Sequence, residues 1–158
     1  MPKNVKDCKM SDNSLLHASL VEISGVGVII TGKSGSGKSD LALRLIENKQ
    51  AKLVADDVVC VEKTNNQLWG KAPQNIAGML EVRGVGIVEY PYLERANIQL
   101  SVRLVEHIEE IERMPKVNND LILGLEIKQI ALYAKENSAP DKIMAALRLM
   151  FGKTTERQ

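Results

Sequence analysis

Aromatic side chains are scarce in this chain: one tryptophan (Trp69), one phenylalanine (Phe151) and three tyrosines (Tyr90, Tyr92 and Tyr133) among 158 residues. So few rings make a base-stacking surface hard to build. An excess of either charge is also missing, because 21 Lys and Arg face 20 Asp and Glu and leave a formal net charge of +1. Without a basic face there is no electrostatic footprint for nucleic acid, and no such partner is expected. Nor is there an apolar run of the roughly 18 residues that a membrane span needs. The opening MPKNVKDCKM has lysines but no apolar centre of the signal-peptide kind, so a cytoplasmic location away from membranes is expected. The two cysteines, Cys8 and Cys60, form no CxxC or Cys/His cluster. They indicate neither a metal site nor a disulfide, and Cys60, inside the apolar DDVVCVE, reads as a small buried hydrophobe.

What is present is ordinary for a globular chain, with 44% hydrophobic and 26% charged residues, and the length suits one domain. Residues 1–14 are polar and aperiodic and read as a flexible arm. Residues 15–152 read as one folded domain, and 153–158 as a tail. Within the domain, LLHASLVEI and VGVIIT flank the turn SGVG and predict a hairpin. Leu41, Ala42, Leu45 and Ile46 then recur at helical spacing. AKLVADDVVCVEK reads as a strand interrupted by two aspartates, with TNNQ as a turn and LWGKA as the returning arm. APQNIAGMLEVRGVGIVEYPYL, with three glycines, predicts a backbone-shaped segment rather than a long element. NIQLSVRLVEHI reads as a strand, residues 109–120 as an exposed loop around Pro115, and LILGLEIKQIALY as strand. Ser138, followed by Pro140 and Asp141, predicts a helix start, with Ile143, Met144 and Leu147 on its apolar face.

One stretch carries chemistry. GKSGSGKS, residues 32–39, fits G-x-x-x-x-G-K-[ST] between an apolar strand and an amphipathic helix. The backbone N–H groups of Gly32, Lys33, Ser34, Gly35, Ser36 and Gly37 can turn onto phosphate oxygens, which Cβ atoms at the glycines would obstruct. Lys38 brings positive charge to the β and γ phosphates, and Ser39 a hydroxyl for Mg²⁺. The helix that follows adds its positive end. A nucleotide site is therefore expected, with ATP and Mg²⁺ as the cofactors.

The loop does not reveal what receives the phosphate. VADDVV offers a carboxylate pair, Asp56 and Asp57, which an extended chain would point to opposite sides, one toward metal and one toward an incoming hydroxyl. A merely solvated pair is the alternative. Glu81 and Arg83 in LEVRGVGIVE would share one face of an extended segment, as a metal ligand and a phosphate ligand, or else as a surface ion pair. His17 in LLHASLVE reads on general grounds as a core histidine. His107 reads as a solvated loop edge. Arg113 is either solvated or a mobile arginine that reaches the transferring phosphoryl group.

HASLVEISGVGVIITGKSGSGKSDLALRLIE, KLVADDVV and LEVRGVGIVE, in this order and at close spacing, resemble the catalytic domain of HPr kinase/phosphorylase. The resemblance runs from about Leu16 to the ERMP loop and more loosely to the last helix. It implies an α/β fold, a single P-loop kinase domain resembling the phosphoenolpyruvate carboxykinase-like core. It also implies an ATP- and Mg²⁺-dependent protein serine kinase whose partner is HPr, the phosphocarrier of the bacterial phosphotransferase system, with phosphorolytic reversal and a homo-hexamer. By resemblance Lys38 is catalytic, Asp57 the proton acceptor with Asp56 beside it near the metal, Glu81 the metal ligand besides Ser39, and Arg83 part of the signature segment. His17 moves to a site residue that would bias the aspartate's protonation, and Arg113 matches the loop arginine. By resemblance the chain is expected to be a short form, without the N-terminal module of longer members. It also has LGLEIKQI where they have a proline, lysine and glycine-arginine segment linked to dephosphorylation. A regulatory module that binds ATP without transfer, and a kinase of another small substrate, remain the rival readings.

Overall fold

A computed structural model describes residues 13–152. Residues 1–12, with Cys8, and the tail 153–158 lie outside the described residues. The expected arm ends sooner than 14, because β1 (Asn13–Leu16) already pairs antiparallel with a later strand, Asn13 opposite Glu62 and Leu16 opposite Val59.

The predicted hairpin forms from β2 (Ser19–Ile23) and β3 (Val26–Thr31), which pair from Ile23↔Val26 to Ser19↔Ile30. Its two loop residues, Ser24 (φ +51°) and Gly25 (φ +83°), both adopt the left-handed region that matches the twist of the flanking strands. Helix α1 (Lys38–Lys49) starts directly after the glycine loop and buries Leu41, Ala42 and Leu45. The strand with two aspartates is two strands, β4 (Lys52–Ala55) and β5 (Val59–Thr64), and β6 (Gln67–Lys71) returns through Asn65–Asn66, again with φ positive at both residues. The glycine-bearing segment contains a short 3-10 turn and a separate small hairpin, β7 (Met79–Val82) with β8 (Gly86–Glu89).

β9 (Ala96–Leu104) organises the sheet. Its first residues pair antiparallel with β6, while its length runs parallel to β3, with Thr31 opposite Arg103. Further along it pairs in parallel with β11 (Leu125–Leu132), whose outer neighbour is β10 (Asn118–Ile122). Among the described residues nine strands form one sheet in the order β1-β5-β6-β9-β3-β2-β4, with β11 and β10 branching from β9. Register slips once between β3 and β9: Gly27 opposes Ile98 but Val28 opposes Leu100. Gln99 is thus an extra residue that reverses which face the later side chains occupy. Accordingly Ala96 and Ile98 join one apolar cluster with Leu20 and Ile29, while Leu100, Val102 and Leu104 join the other, beneath α1 and α2 (Ala139–Phe151).

Two local expectations need correction, and the cause of a third differs in detail. The predicted single strand LILGLEIKQIALY is a hairpin, because Leu123 (φ +49°) and Gly124 (φ +81°) form its two-residue turn. Helix α2 starts where expected, directly after Ser138, although the Ser138 side chain makes no capping hydrogen bond: its carbonyl accepts from Lys142 N, and the proline in the first turn leaves fewer N–H groups to satisfy. Cys60 is buried as expected but disulfide-bonded, not free. No helix among the described residues is long and apolar enough to cross a membrane.

Candidate active site

β3 ends at Thr31 and α1 begins at Lys38, so the glycine loop is stretched between the centre of the sheet and the head of a helix. Gly37 is the residue before the helix, with φ +104°, and Gly35 has φ +82°, values that side chains other than glycine resist. The loop closes on itself, the Lys33 carbonyl accepting from Ser36 N at 2.9 Å. The Lys38 ammonium folds back and donates to the carbonyls of Gly32 (2.9 Å) and Lys33 (3.2 Å). A lysine held over its own loop keeps its charge at the mouth of the cradle.

Asp56 is the buried partner of this loop. It is 7% exposed, and its Oδ1 accepts hydrogen bonds from the hydroxyls of Ser39 (2.6 Å) and Ser19 (2.9 Å). Its other oxygen faces the backbone N–H of Glu81 at 3.5 Å, which draws the β7–β8 hairpin to the same place. These donors satisfy a buried charge that would otherwise be costly.

Asp57 takes the opposite role by a route the sequence pattern did not predict. The chain is not extended there: Val58 N donates to Asp56 O at 2.8 Å across Asp57, whose φ is +73°. This is a tight γ-turn with positive φ, a strained conformation for a residue with a side chain. The turn, not strand alternation, separates the two acids, burying Asp56 and exposing Asp57.

Asp57, Lys38, Ser39, Glu81 and Arg83 all border one cavity of about 490 Å³. The glycine loop, one carboxylate of the acid pair and both charged residues of the hairpin thus line the same cavity. Two candidates stand elsewhere. His17 lies at an exposed bend between β1 and β2, not in the core, and does not border the cavity; it precedes Ser19 by two residues at the end of β2 that meets Asp56. Arg113 is on the exposed loop after β9 and also stands outside the lining. His107 is exposed at the start of that loop, as expected.

Other residues of the site escaped the sequence. Ser19 could have drawn notice as a hydroxyl in an apolar strand. Ala134 and Lys135, which border the cavity from the β11–α2 turn, carry no local signal at all.

The donors present fit a nucleotide-bound Mg²⁺. Among the described residues no group of three or more His, Cys, Asp and Glu could hold a metal by itself. Mg²⁺ commonly rests on one or two protein oxygens, with phosphates and water completing its shell. The Ser39 hydroxyl, bonded to Asp56 beside the glycine cradle, suits that arrangement.

A family model described as the HPr Serine kinase C-terminal domain matches residues 8–153. The HPr kinase/phosphorylase of Clostridium tetani is 36% identical over 140 residues, covering 82% of this chain and 45% of that protein. That of Malacoplasma penetrans is 32% identical over 157 residues, covering 90% of this chain and 52% of that protein. The chain spans about half the length of these curated relatives. Among solved structures, the Hpr(Ser) kinase/phosphatase from Coxiella burnetii superposes with a TM-score of 0.77 at 30% identity, covering 86% of this chain and 89% of that one.

Proposed function

The chain belongs to the HPr serine kinase C-terminal domain family, and from that membership we propose that it transfers the γ-phosphoryl group of Mg²⁺-ATP to a seryl hydroxyl of HPr or an HPr-like phosphocarrier. The observation that carries the reading is the meeting, around one cavity, of Lys38 and Ser39 from the glycine loop with Asp57, Glu81 and Arg83. A phosphate cradle alone would serve any nucleotide-binding protein. An exposed carboxylate held by a strained turn beside it is what a hydroxyl acceptor needs.

The loop amides hold the polyphosphate in line, and the Lys38 ammonium leaves its loop carbonyls to offset charge on the γ phosphate. Bound Mg²⁺, held through Ser39 and Glu81, would supply further charge neutralisation. The seryl hydroxyl passes its proton to Asp57 while its oxygen bonds to the γ phosphorus. The bond from that phosphorus to the β–γ bridging oxygen breaks, and ADP leaves. Asp56 keeps the Ser39 hydroxyl oriented. Arg83 binds phosphate oxygens, His17 supports the acid pair from the β1–β2 bend beside Ser19, and Arg113 reaches the phosphoryl group in the loaded complex. In the phosphorolytic direction inorganic phosphate would attack the phosphoserine phosphorus, the bond from that phosphorus to the seryl oxygen would break, and the departing seryl oxygen would take back the proton held by Asp57, with pyrophosphate as the other product. A cytoplasmic homo-oligomer belongs to the same proposal.

The test is transfer of labelled phosphate from ATP to purified HPr with Mg²⁺, using the wild type and Lys38→Ala. Seryl label that depends on Lys38 supports the reading. ATP binding without label on HPr would favour a regulatory module or a different acceptor.

A further inference from the structure

The turn between β11 and α2 (residues 133–138) reaches the glycine loop from far along the chain. Ala134, 2% exposed, packs on it so closely that a Cβ placed on Gly37 would stand 3.0 Å from the Ala134 methyl. The turn is also gripped from α1: the Arg44 guanidinium donates to the carbonyls of Ala134 and Glu136 (3.2 Å for the latter), the two residues that flank Lys135. Inside the turn, Glu136 N donates to Tyr133 O at 3.2 Å, and Lys142 holds the Glu136 carboxylate at 2.7 Å. The backbone at Lys135 is therefore pinned on both sides to the helix that starts at the loop.

The side chain so presented is exposed and borders two cavities. One is the main site; the other, of about 220 Å³, lies along the same loop, and Ser34, Gly35 and Lys135 border both. The other lysines of the loop are engaged, Lys33 with Glu106 at 3.2 Å and Lys38 with the loop carbonyls. Lys135 has no hydrogen-bond or ion-pair partner among the described residues. A free ammonium on a flexible stem, its root fixed beside a phosphate cradle, is suited to an anion that arrives with the ligand.

We propose that Lys135 is a further phosphate-binding cation of this site, contacting the terminal phosphates of a bound nucleoside triphosphate, and that Arg44 is the residue that positions it. The proposal rests on reading the loop as a nucleotide site. An ordinary surface lysine would sit on a backbone free to move. Here two carbonyl contacts from one guanidinium set the approach.

The test is calorimetric titration of Mg²⁺-ATP and Mg²⁺-ADP into the wild type, Lys135→Ala, Lys135→Arg and Arg44→Lys, at low and moderate salt. Lys135→Ala should weaken ATP binding roughly tenfold, the scale of one lost charge-assisted hydrogen bond, with less effect on ADP and a shallower salt dependence. Lys135→Arg should restore most of the affinity. Arg44→Lys, which cannot span both carbonyls, should shift the ATP-to-ADP preference in the same direction as Lys135→Ala, a change that mere loss of stability would not produce. Wild-type affinity and preference in Lys135→Ala would overturn the role of Lys135 while leaving the nucleotide site standing. A wild type that binds neither nucleotide would overturn both.

Discussion

The hydroxyl of Ser39 donates to the carboxylate of Asp56 at 2.6 Å, joining the first turn of α1 to the end of β4. A second hydroxyl, Ser19, meets the same oxygen at 2.9 Å. Asp56 is therefore a structural joint between loop, sheet and hairpin as well as a candidate neighbour of the metal. Asp57, one residue on, borders the cavity and has no such partners among the described residues.

Asp57→Asn is expected to lower seryl transfer by about 10²- to 10⁴-fold, the usual contribution of a positioned general base, with ATP affinity nearly unchanged. Transfer and binding are measured on the same preparation. Near wild-type transfer would remove Asp57 from its role.

Asp57→Gly tests the strain separately. Relief of the positive φ should offset the added entropy of the unfolded chain and leave the protein equally stable or up to about 1 kcal/mol more stable, again without transfer. Urea denaturation decides it. A loss of stability greater than that entropy term would mean the Asp57 side chain holds the turn rather than being strained by it.

Asp56→Ala leaves two hydroxyls without their acceptor, Ser19 in a fully buried position. A loss of roughly 1–3 kcal/mol in unfolding free energy is expected, together with weaker Mg²⁺-dependent ATP binding. If stability stayed at the wild-type level while ATP binding fell, the joint described above would be only a feature of the nucleotide site.

Gly27 faces the Asn97 carbonyl across the β3–β9 seam, where an added Cβ would stand 2.4 Å from the oxygen. Because the obstacle is backbone, Gly27→Ala should cost about 2 kcal/mol or more, within the range for overpacked interiors. The thermal midpoint reports it. Full stability in this variant would show that the strands can separate there without penalty.

The phenol of Tyr90 donates to Glu47 at 2.7 Å, and this hydrogen bond, then desolvation, then the carboxylate's charge, raise its pKa from the ordinary 10.0. A raised phenol favours the neutral form in the folded state, so its contribution is present in full below the unfolded value and fades as pH climbs through the folded one. Melting curves between about pH 8 and 11 should therefore show a steeper alkaline decline for the wild type than for Tyr90→Phe. Parallel declines would mean that the link between α1 and the segment after β8 adds nothing.

Features with local causes were legible in the sequence. The glycine loop, α1 and the Ser24–Gly25 and Asn65–Asn66 turns each follow from residues that sit together. The break between β10 and β11 was hidden because Leu123 continues an apolar run through a left-handed turn. The two-sided burial of β9 was hidden as well. Its apolar alternation does not reveal the extra residue at Gln99 that moves Leu100 to the face opposite Ile98. The site divides along the same line. Lys38, Ser39, Asp56, Asp57, Glu81 and Arg83 belong to recognisable short segments, whereas Lys135 comes to the loop through tertiary packing of its turn, with Ala134 on Gly37 and Arg44 on the carbonyls of Ala134 and Glu136. His17 looked like a core residue because its neighbours are apolar, yet the bend between β1 and β2 leaves it exposed.

The parallel seam between β3 and β9 has a consequence for how the molecule is made. Five strands lie between these two in the chain, so β3, which delivers the glycine loop, cannot find its central neighbour until all of them have emerged from the ribosome. The two-residue hairpins close early because their contacts are local, while this long-range pairing carries the entropy of a large loop and forms late. Nucleotide affinity should therefore appear near the end of folding. A nascent chain that stops before β9 would hold the whole phosphate-loop sequence and still lack a rigid place to put the phosphate.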